Sequence, residues 1–304
     1  MCVFPYFSPH LTMKLKAWIE AMRLRTLPVS LSGVLWAAGL LIQQQRLQLI
    51  PLAMCLVFAT LAQIASNFAN EYFDFRDGLD RPGREGFRRG VTEGDLSARA
   101  MLRATIAVLL VACCVGVLLV ALYGEWWMYL VGVATALGVL AYSTGPFPLS
   151  RLGLGELAVV CFFGLIPVVL TVLLSGGRAT SEVWLVAVGV GLMGANVLMV
   201  NNYRDADDDA AVGKLTLAVR FGRKPVALLY LLSGIAAFAL TLSAWLPYEH
   251  LWSIIPSLLY LSIHRYFYDR LRKSTGEQLN PLLGQTAMLM CLYSVAFLIF
   301  TILS

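Results

Sequence analysis

From residue 28 to the end of the chain, long apolar runs alternate with short polar segments that hold most of the charge. A run of about 20 apolar residues can cross a bilayer as a helix. A helix also lets a lipid-exposed backbone satisfy its own hydrogen bonds. Nine spans are expected on this pattern, near 28–44, 49–70, 102–122, 127–143, 155–175, 183–202, 225–245, 250–264 and 283–303. The eighth is the shortest and contains Pro256, which, like Pro167 in the fifth, is expected to kink its helix. A transmembrane β-barrel would show short alternating segments instead. The expected fold class is therefore all-α, a polytopic membrane protein with its N-terminus in the cytoplasm. No Gly/Ser linker or low-complexity tract divides the chain. Residues 18–304 are read as a single domain behind an N-terminal tail over 1–17, in which Met13 offers an alternative start. That tail lacks the pattern of a signal peptide.

Composition agrees: 59% of residues are hydrophobic and 13% charged, against about 25% charged in soluble domains. With the N-terminus inside, 21 of the 23 Lys and Arg residues, Arg84 among them, fall on the cytoplasmic side. Only Arg46 and Arg178 fall outside. This is the bias of the positive-inside rule. It accounts for the net charge of +5, so no nucleic-acid partner is expected. All cysteines except Cys2 lie in apolar spans and none forms C-x-x-C, so they are read as small hydrophobes. His10, His250 and His264 are scattered and offer no histidine metal site.

Two polar segments stand out. "NEYFD" (Asn70–Asp74) and "NNYRD" (Asn201–Asp205) share the order N-x-Y-x-D, and each ends an apolar run. If the helices continue past the interface, Asn67, Asn70, Asp74 and Asp77 fall on one face. Asn201, Asp205 and Asp208 or Asp209 do the same, while Asp207 points elsewhere. Like charges one turn apart repel unless something offsets them. An oxygen-only ligand set without His or Cys suits Mg²⁺, which completes its shell with water and phosphate oxygens. Two such clusters on one membrane face imply a diphosphate held between Mg²⁺ ions. A solvated loop and an ion pathway are the competing readings, but the spans are nearly empty of the ionisable residues a transporter needs. Asp205-x-Asp207-x-Asp209 opens like a Ca²⁺ loop, but Ala210 and Thr216 stand where Gly and Glu are required. Lys214 and Arg23 lead the candidates for diphosphate contact, followed by Arg25, Arg76 and Arg204.

These segments resemble the UbiA superfamily of intramembrane prenyltransferases, which carry N-D-x-x-D-x-x-x-D after the second helix and D-x-x-x-D after the sixth. Asn70-Glu71-x-x-Asp74 is similar to the first motif, with Glu71 for Asp, Gly78 at the third acidic position and Asp80 two residues later. Asp205-x-x-x-Asp209 matches the second in full. "RLRTLPVS", "AYSTGPFPLSRLGLGE", "NNYRDADDDAAVGKLTLAVRFG" and "LNPLLGQTA" resemble the branch that prenylates 1,4-dihydroxy-2-naphthoate. That branch often has an added G-x-D in the first motif, here Gly78-Leu79-Asp80, while Leu24 stands where Pro is common. The likeness runs from about Trp18 to the C-terminus.

The resemblance implies nine helices around a central cavity open sideways to lipid, in the cell inner membrane, with the active site on the cytoplasmic side. It implies Mg²⁺ as cofactor, held by Asn70, Asp74, Asp80, Asp205 and Asp209, with Asp74, Asp205 and Asp209 the catalytic carboxylates. The implied reaction joins a polyprenyl diphosphate to the naphthoate with loss of diphosphate and CO₂, giving demethylmenaquinone. Another aromatic acid acceptor, 4-hydroxybenzoate or homogentisate, is the rival. Tyr142, Ser143, Glu156, Asn280 and Gln285 are the candidate acceptor-binding residues.

Overall fold

The computed structural model describes residues 9–83, 86–248 and 251–304, so the expectations for Cys2, Arg84 and His250 lie outside the described residues. Among the described residues every regular element is helical. Helix α1 spans Pro9–Met22. Arg23 then adopts a left-handed backbone (φ 54°), which separates α1 from a 3₁₀ turn and α2 (Leu27–Gln43). Next come α3 (Leu49–Arg76), α4 (Ala98–Tyr123) and α5 (Trp126–Ala141). The short α6 (Gly155–Val159) runs through a π-helical turn, Val160–Leu165, into α7 (Ile166–Leu174). The remainder is α8 (Ser181–Arg204), α9 (Ala206–Ala211), α10 (Leu217–Phe221), α11 (Arg223–Leu242), α12 (Ile255–Lys273) and α13 (Asn280–Leu303).

A helix lies at each expected span. Among the described residues, seven stretches are long and apolar enough to cross a membrane. Helix α5 is apolar but has only 16 residues. The eighth position departs most from expectation. Its helix begins at Ile255 and ends in a basic turn with Arg270, Arg272 and Lys273. Pro256 lies in the first turn, where a missing N–H leaves no helical bond unmade. It therefore starts the helix and does not kink it. Pro167 does disturb its helix. It has no N–H for the Phe163 carbonyl, and its ring crowds that oxygen. The preceding turn is the π-helical one.

Helix α8 is the most buried span. Its glycines let neighbours approach closely, as packing between membrane helices requires. A Cβ on Gly164 of the π turn would lie 2.5 Å from Gly191 Cα on α8. Across the same core, Trp36 of α2 stacks on Phe297 of α13 with ring centroids 4.3 Å apart. A second, smaller core joins Ala17 and Ala21 of α1 to Phe68 of α3 and to Val91, Leu96 and Met101. Helix α1 thus straddles the expected tail boundary at residue 17, with Trp18 set edge-on against Phe68. The five described cysteines are all free.

Candidate active site

The last two turns of α3 carry Asn70, Glu71 and Asp74, all buried. Neighbouring residues on a helix point about 100° apart, and here they part company. Asn70 Nδ2 lies 3.2 Å from Asp74 Oδ2. Glu71 instead accepts the backbone N–H of Val91 at 3.0 Å. It fastens the following loop. The helix ends at Arg76, so Asp77 becomes its cap. Gly78 then takes a positive φ of 69°, a conformation open to glycine. This turn lets the N–H groups of Leu79 and Asp80 reach the Asp74 carbonyl, at 2.8 and 3.3 Å. Asp80 is thereby folded back and buried, with its Oδ2 3.6 Å from Arg89 Nε. Arg89 also donates to Asn70 Oδ1 at 3.2 Å, so Asp80 joins the cluster through Arg89.

The second cluster is built at the junction of α8 and α9. Asp205 sits between the two helices, and Asp209 N–H donates to its carbonyl at 2.8 Å, so the helical trace continues and Asp209 lies one turn on. Arg204 grips both carboxylate oxygens of Asp205, at 2.6 and 2.9 Å, and also donates to Asn201 and Asn280. Asp207 is exposed and paired with Arg223, as its position off the shared face suggested. Gly213, at φ 78°, turns the chain back. The ammonium of Lys214 then lies 2.9 Å from Asp74 Oδ2 and 4.0 Å from Asp209 Oδ1. One buried side chain connects the two clusters.

The other expected diphosphate ligands divide. Arg23, aimed by its left-handed backbone, donates to Asn70 Oδ1 and lines the chamber described below. Arg204 is occupied by Asp205. Arg25 is turned away and lies over the Phe87 ring at 4.9 Å. Arg76 is exposed, paired with Asp77 and set over Phe73.

Arg151 was not singled out by the sequence pattern. Its Nη2 lies 2.7 Å from Asp77 Oδ2 and 3.8 Å from Asp74 Oδ1, and it donates to the Ser143 carbonyl. The hydrogen bond from Arg76, helped by Arg151, holds the Asp77 carboxyl below the usual carboxylate range.

These groups surround a polar chamber of about 170 Å³, lined by Asn70, Asp74, Asp205, Asp209, Lys214 and Glu156, among others. A larger apolar cavity of about 430 Å³ adjoins it between α2, α3, α4, α5 and the α6–α7 segment. The two share Gln63, Ser66, Tyr142, Val159 and Phe163. Val117 of α4 and Tyr129, Val133 and Leu137 of α5 line the apolar cavity and are exposed, so it opens sideways between these helices.

Among the expected acceptor residues, Tyr142 and Glu156 line the polar chamber. Ser143 is buried at its edge, accepting from Asn70 Nδ2 at 3.3 Å. Asn280 is bound to Arg204 Nη1 at 2.8 Å. Gln285 is not brought to the site. Helix α13 turns Leu282, Leu283 and Thr286 inward, which leaves Gln285 exposed and bonded to Arg270. Asn202, which sequence reasoning passed over, donates to Glu156 Oε1 at 2.9 Å.

Among the described residues no three His, Cys, Asp or Glu side chains form a ready-made metal centre. The acids are held by bases instead. The donor chemistry nevertheless fits a hard divalent cation. Asn70, Asp74, Asp205 and Asp209 offer only oxygen as ligands to a metal, and Asp74 Oδ1 is buried without a hydrogen-bond donor.

The model of the UbiA prenyltransferase family matches residues 27–301. The 1,4-dihydroxy-2-naphthoate octaprenyltransferase of Haemophilus influenzae is 31% identical over 302 residues, covering 93% of this chain and 95% of that protein. The enzyme of the same name from Escherichia coli is 32% identical over 68% of this chain and 69% of its own. Among solved structures, a UbiA homolog from Archaeoglobus fulgidus bound to GPP and Mg²⁺ aligns with a TM-score of 0.67 at 15% identity, covering 93% of this chain and 99% of that one. Its complex with DMAPP and Mg²⁺ gives 0.65 at 14% identity, over 92% and 98%.

Proposed function

Because the chain belongs to the UbiA prenyltransferase family, we propose that it transfers the prenyl group of a polyprenyl diphosphate to 1,4-dihydroxy-2-naphthoate, in menaquinone synthesis. Diphosphate and CO₂ are released. The observation that carries this reading is the junction of the two cavities. A charged chamber adjoins an apolar one, and Gln63, Ser66, Tyr142, Val159 and Phe163 line both. A substrate with a diphosphate head and an isoprenoid tail has that division of polarity. The relatives named for the naphthoate reaction support the choice of acceptor.

In this reading Asp74, Asp205 and Asp209, with Asn70, would hold Mg²⁺. Bound there, Mg²⁺ would neutralise the charge that develops on the departing diphosphate. Lys214, Arg23 and Arg89 line the same chamber and add positive charge to it. Arg204 and Asn201 fix the Asp205 carboxylate, and Asn280 fixes Arg204. Asp80 steadies Arg89. The apolar walls keep water from an allylic cation, which water would quench. The tail leaves between α4 and α5 and stays in lipid. The acceptor enters beside Tyr142, Ser143 and Glu156. An electron-rich ring is itself the nucleophile, so no protein nucleophile is needed.

A nine-span topology with a cytoplasmic N-terminus sets both acidic clusters at the cytoplasmic face of the cell membrane, supported by the placement of 21 of 23 basic residues. The test is an assay of the purified protein with one isoprenyl diphosphate and a panel of aromatic acids, with and without Mg²⁺. Coupled product from the naphthoate, dependent on Mg²⁺, is expected. Product from 4-hydroxybenzoate alone would overturn the acceptor, and full turnover in chelator would overturn the metal.

A further inference from the structure

Four carboxylates line the polar chamber: Asp74, Glu156, Asp205 and Asp209. Three of them meet a base, Lys214 or Arg204. Glu156 has no ion pair among the described residues, although it is only 7% exposed. Asn202 Nδ2 occupies its Oε1 at 2.9 Å, and its Oε2 is buried with no hydrogen-bond partner. Asn202 is itself buried and lines the same chamber, so it holds the carboxyl in place and leaves one oxygen open. A buried acceptor in this state costs free energy that a ligand's donor would recover.

The donor cannot come from the diphosphate, whose like charge a carboxylate repels. Of the two substrates, the acceptor is the one that carries such a donor. Gly155 precedes Glu156, and a Cβ built there would lie 3.7 Å from the Tyr142 hydroxyl. Tyr142 therefore stands close beside the start of α6, and Tyr142 and Glu156 line the same chamber. The donor a dihydroxynaphthoate offers is a ring hydroxyl.

We propose that Glu156, oriented by Asn202, is the catalytic residue that takes the proton of the acceptor's ring hydroxyl. The inference rests on the proposed transfer to a hydroxylated aromatic acid. The allylic C–O bond breaks and its electron pair leaves with the diphosphate. The ring carbon next to the hydroxyl gives its π pair to the new C–C bond. The hydroxyl proton passes to Glu156 Oε2, and the O–H pair becomes a C=O. When the attacked carbon bears the carboxylate, the intermediate is a β-keto acid. Loss of CO₂ returns its electron pair to the ring, and the oxygen takes its proton back from Glu156. The ring ends as a hydroquinone, and no oxidant is consumed.

The experiment compares wild type, Glu156→Gln, Glu156→Asp and Asn202→Ser, with thermal unfolding to establish folding. Glu156→Gln is expected to lower kcat roughly 100-fold or more, the usual worth of a positioned base. KM for the prenyl diphosphate and the Mg²⁺ requirement stay unchanged, and Glu156→Asp regains part of the rate. An acceptor O-methylated at the ring hydroxyl should be poor for wild type and no worse for Glu156→Gln, because both changes remove one interaction. Wild-type kcat in Glu156→Gln overturns the proposal. Should that variant not fold, Asn202→Ser decides: a lowered kcat with KM for the prenyl diphosphate unchanged supports it, and unchanged kcat overturns it. If wild type makes product only from another phenolic acid, the naphthoate assignment fails, and the same variants are compared on that acid.

Discussion

The Lys214 ammonium lies 2.9 Å from Asp74 Oδ2, a bond between residues 140 positions apart. Both side chains are nearly withdrawn from solvent, at 9% and 1% exposure. Removing one partner of a buried pair leaves the other charge uncompensated and costs about 3–5 kcal/mol. In metal-free buffer, Lys214→Met should therefore unfold at a clearly lower temperature than wild type. Mg²⁺ should recover part of the loss, since a divalent cation supplies charge to the same carboxylate. Thermal unfolding in detergent, with chelator or with Mg²⁺, measures both. Equal melting in chelator would mean the bond contributes nothing.

Asp74→Ala and Asp205→Ala should each lower turnover at least about 100-fold, a loss typical of removing transition-state charge stabilisation, while the protein stays folded. Asp205→Ala leaves Arg204 bonded to Asn201 and Asn280, at 2.9 and 2.8 Å. Asp74→Ala leaves Lys214 beside Asp209. Initial rates and circular dichroism in detergent check the pair. Near-normal turnover in either variant contradicts a shared metal–diphosphate site.

Much of this site was legible because spacing and burial act locally. An apolar run that ends in Asn-x-Tyr-x-Asp puts its polar face at the membrane surface, and Asp74, Asp205, Asp209 and Lys214 followed from that. What stayed hidden depends on partners far along the chain. Glu71 neighbours Asn70, yet its direction matters only once Val91 is packed against it. Arg151 and Asn202 bond across the bundle to Asp77 and Glu156. Gln285 and Thr286 are adjacent polar residues, and only the docking of α13 decides which one faces inward. The bounds of α12 were missed because an amphipathic helix with a basic end leaves a weak apolar signal.

Glu71 gives a sharper prediction than its motif position alone. Its Oε1 accepts the Val91 N–H, and a glutamine oxygen accepts equally well. Glu71→Gln should therefore lose far less activity than Asp74→Asn. Glu71→Ala should free the loop, seen as faster proteolysis near Val91 with the membrane helices intact. Equal losses for Glu71→Gln and Asp74→Asn would place Glu71 among the metal ligands after all.

The contact between the π turn and α8 can be tested without touching the chemistry. A Cβ on Gly164 would lie 2.4 Å from the Ala187 carbonyl oxygen and 2.6 Å from the Gly191 nitrogen. These are backbone atoms, so relief requires the two segments to separate. Overpacking of this kind costs about 1–3 kcal/mol. The same segment carries Phe162 and Phe163 on the wall of the apolar cavity. Gly164→Ala should therefore lower the melting temperature and raise KM for the prenyl diphosphate together. Gly284→Ala is the control, because a Cβ there meets nothing within 4 Å and the residue lines neither cavity. In that variant both quantities should match wild type. A Gly164→Ala protein as stable as the Gly284→Ala control would show that the close approach is not needed to hold the π turn against α8.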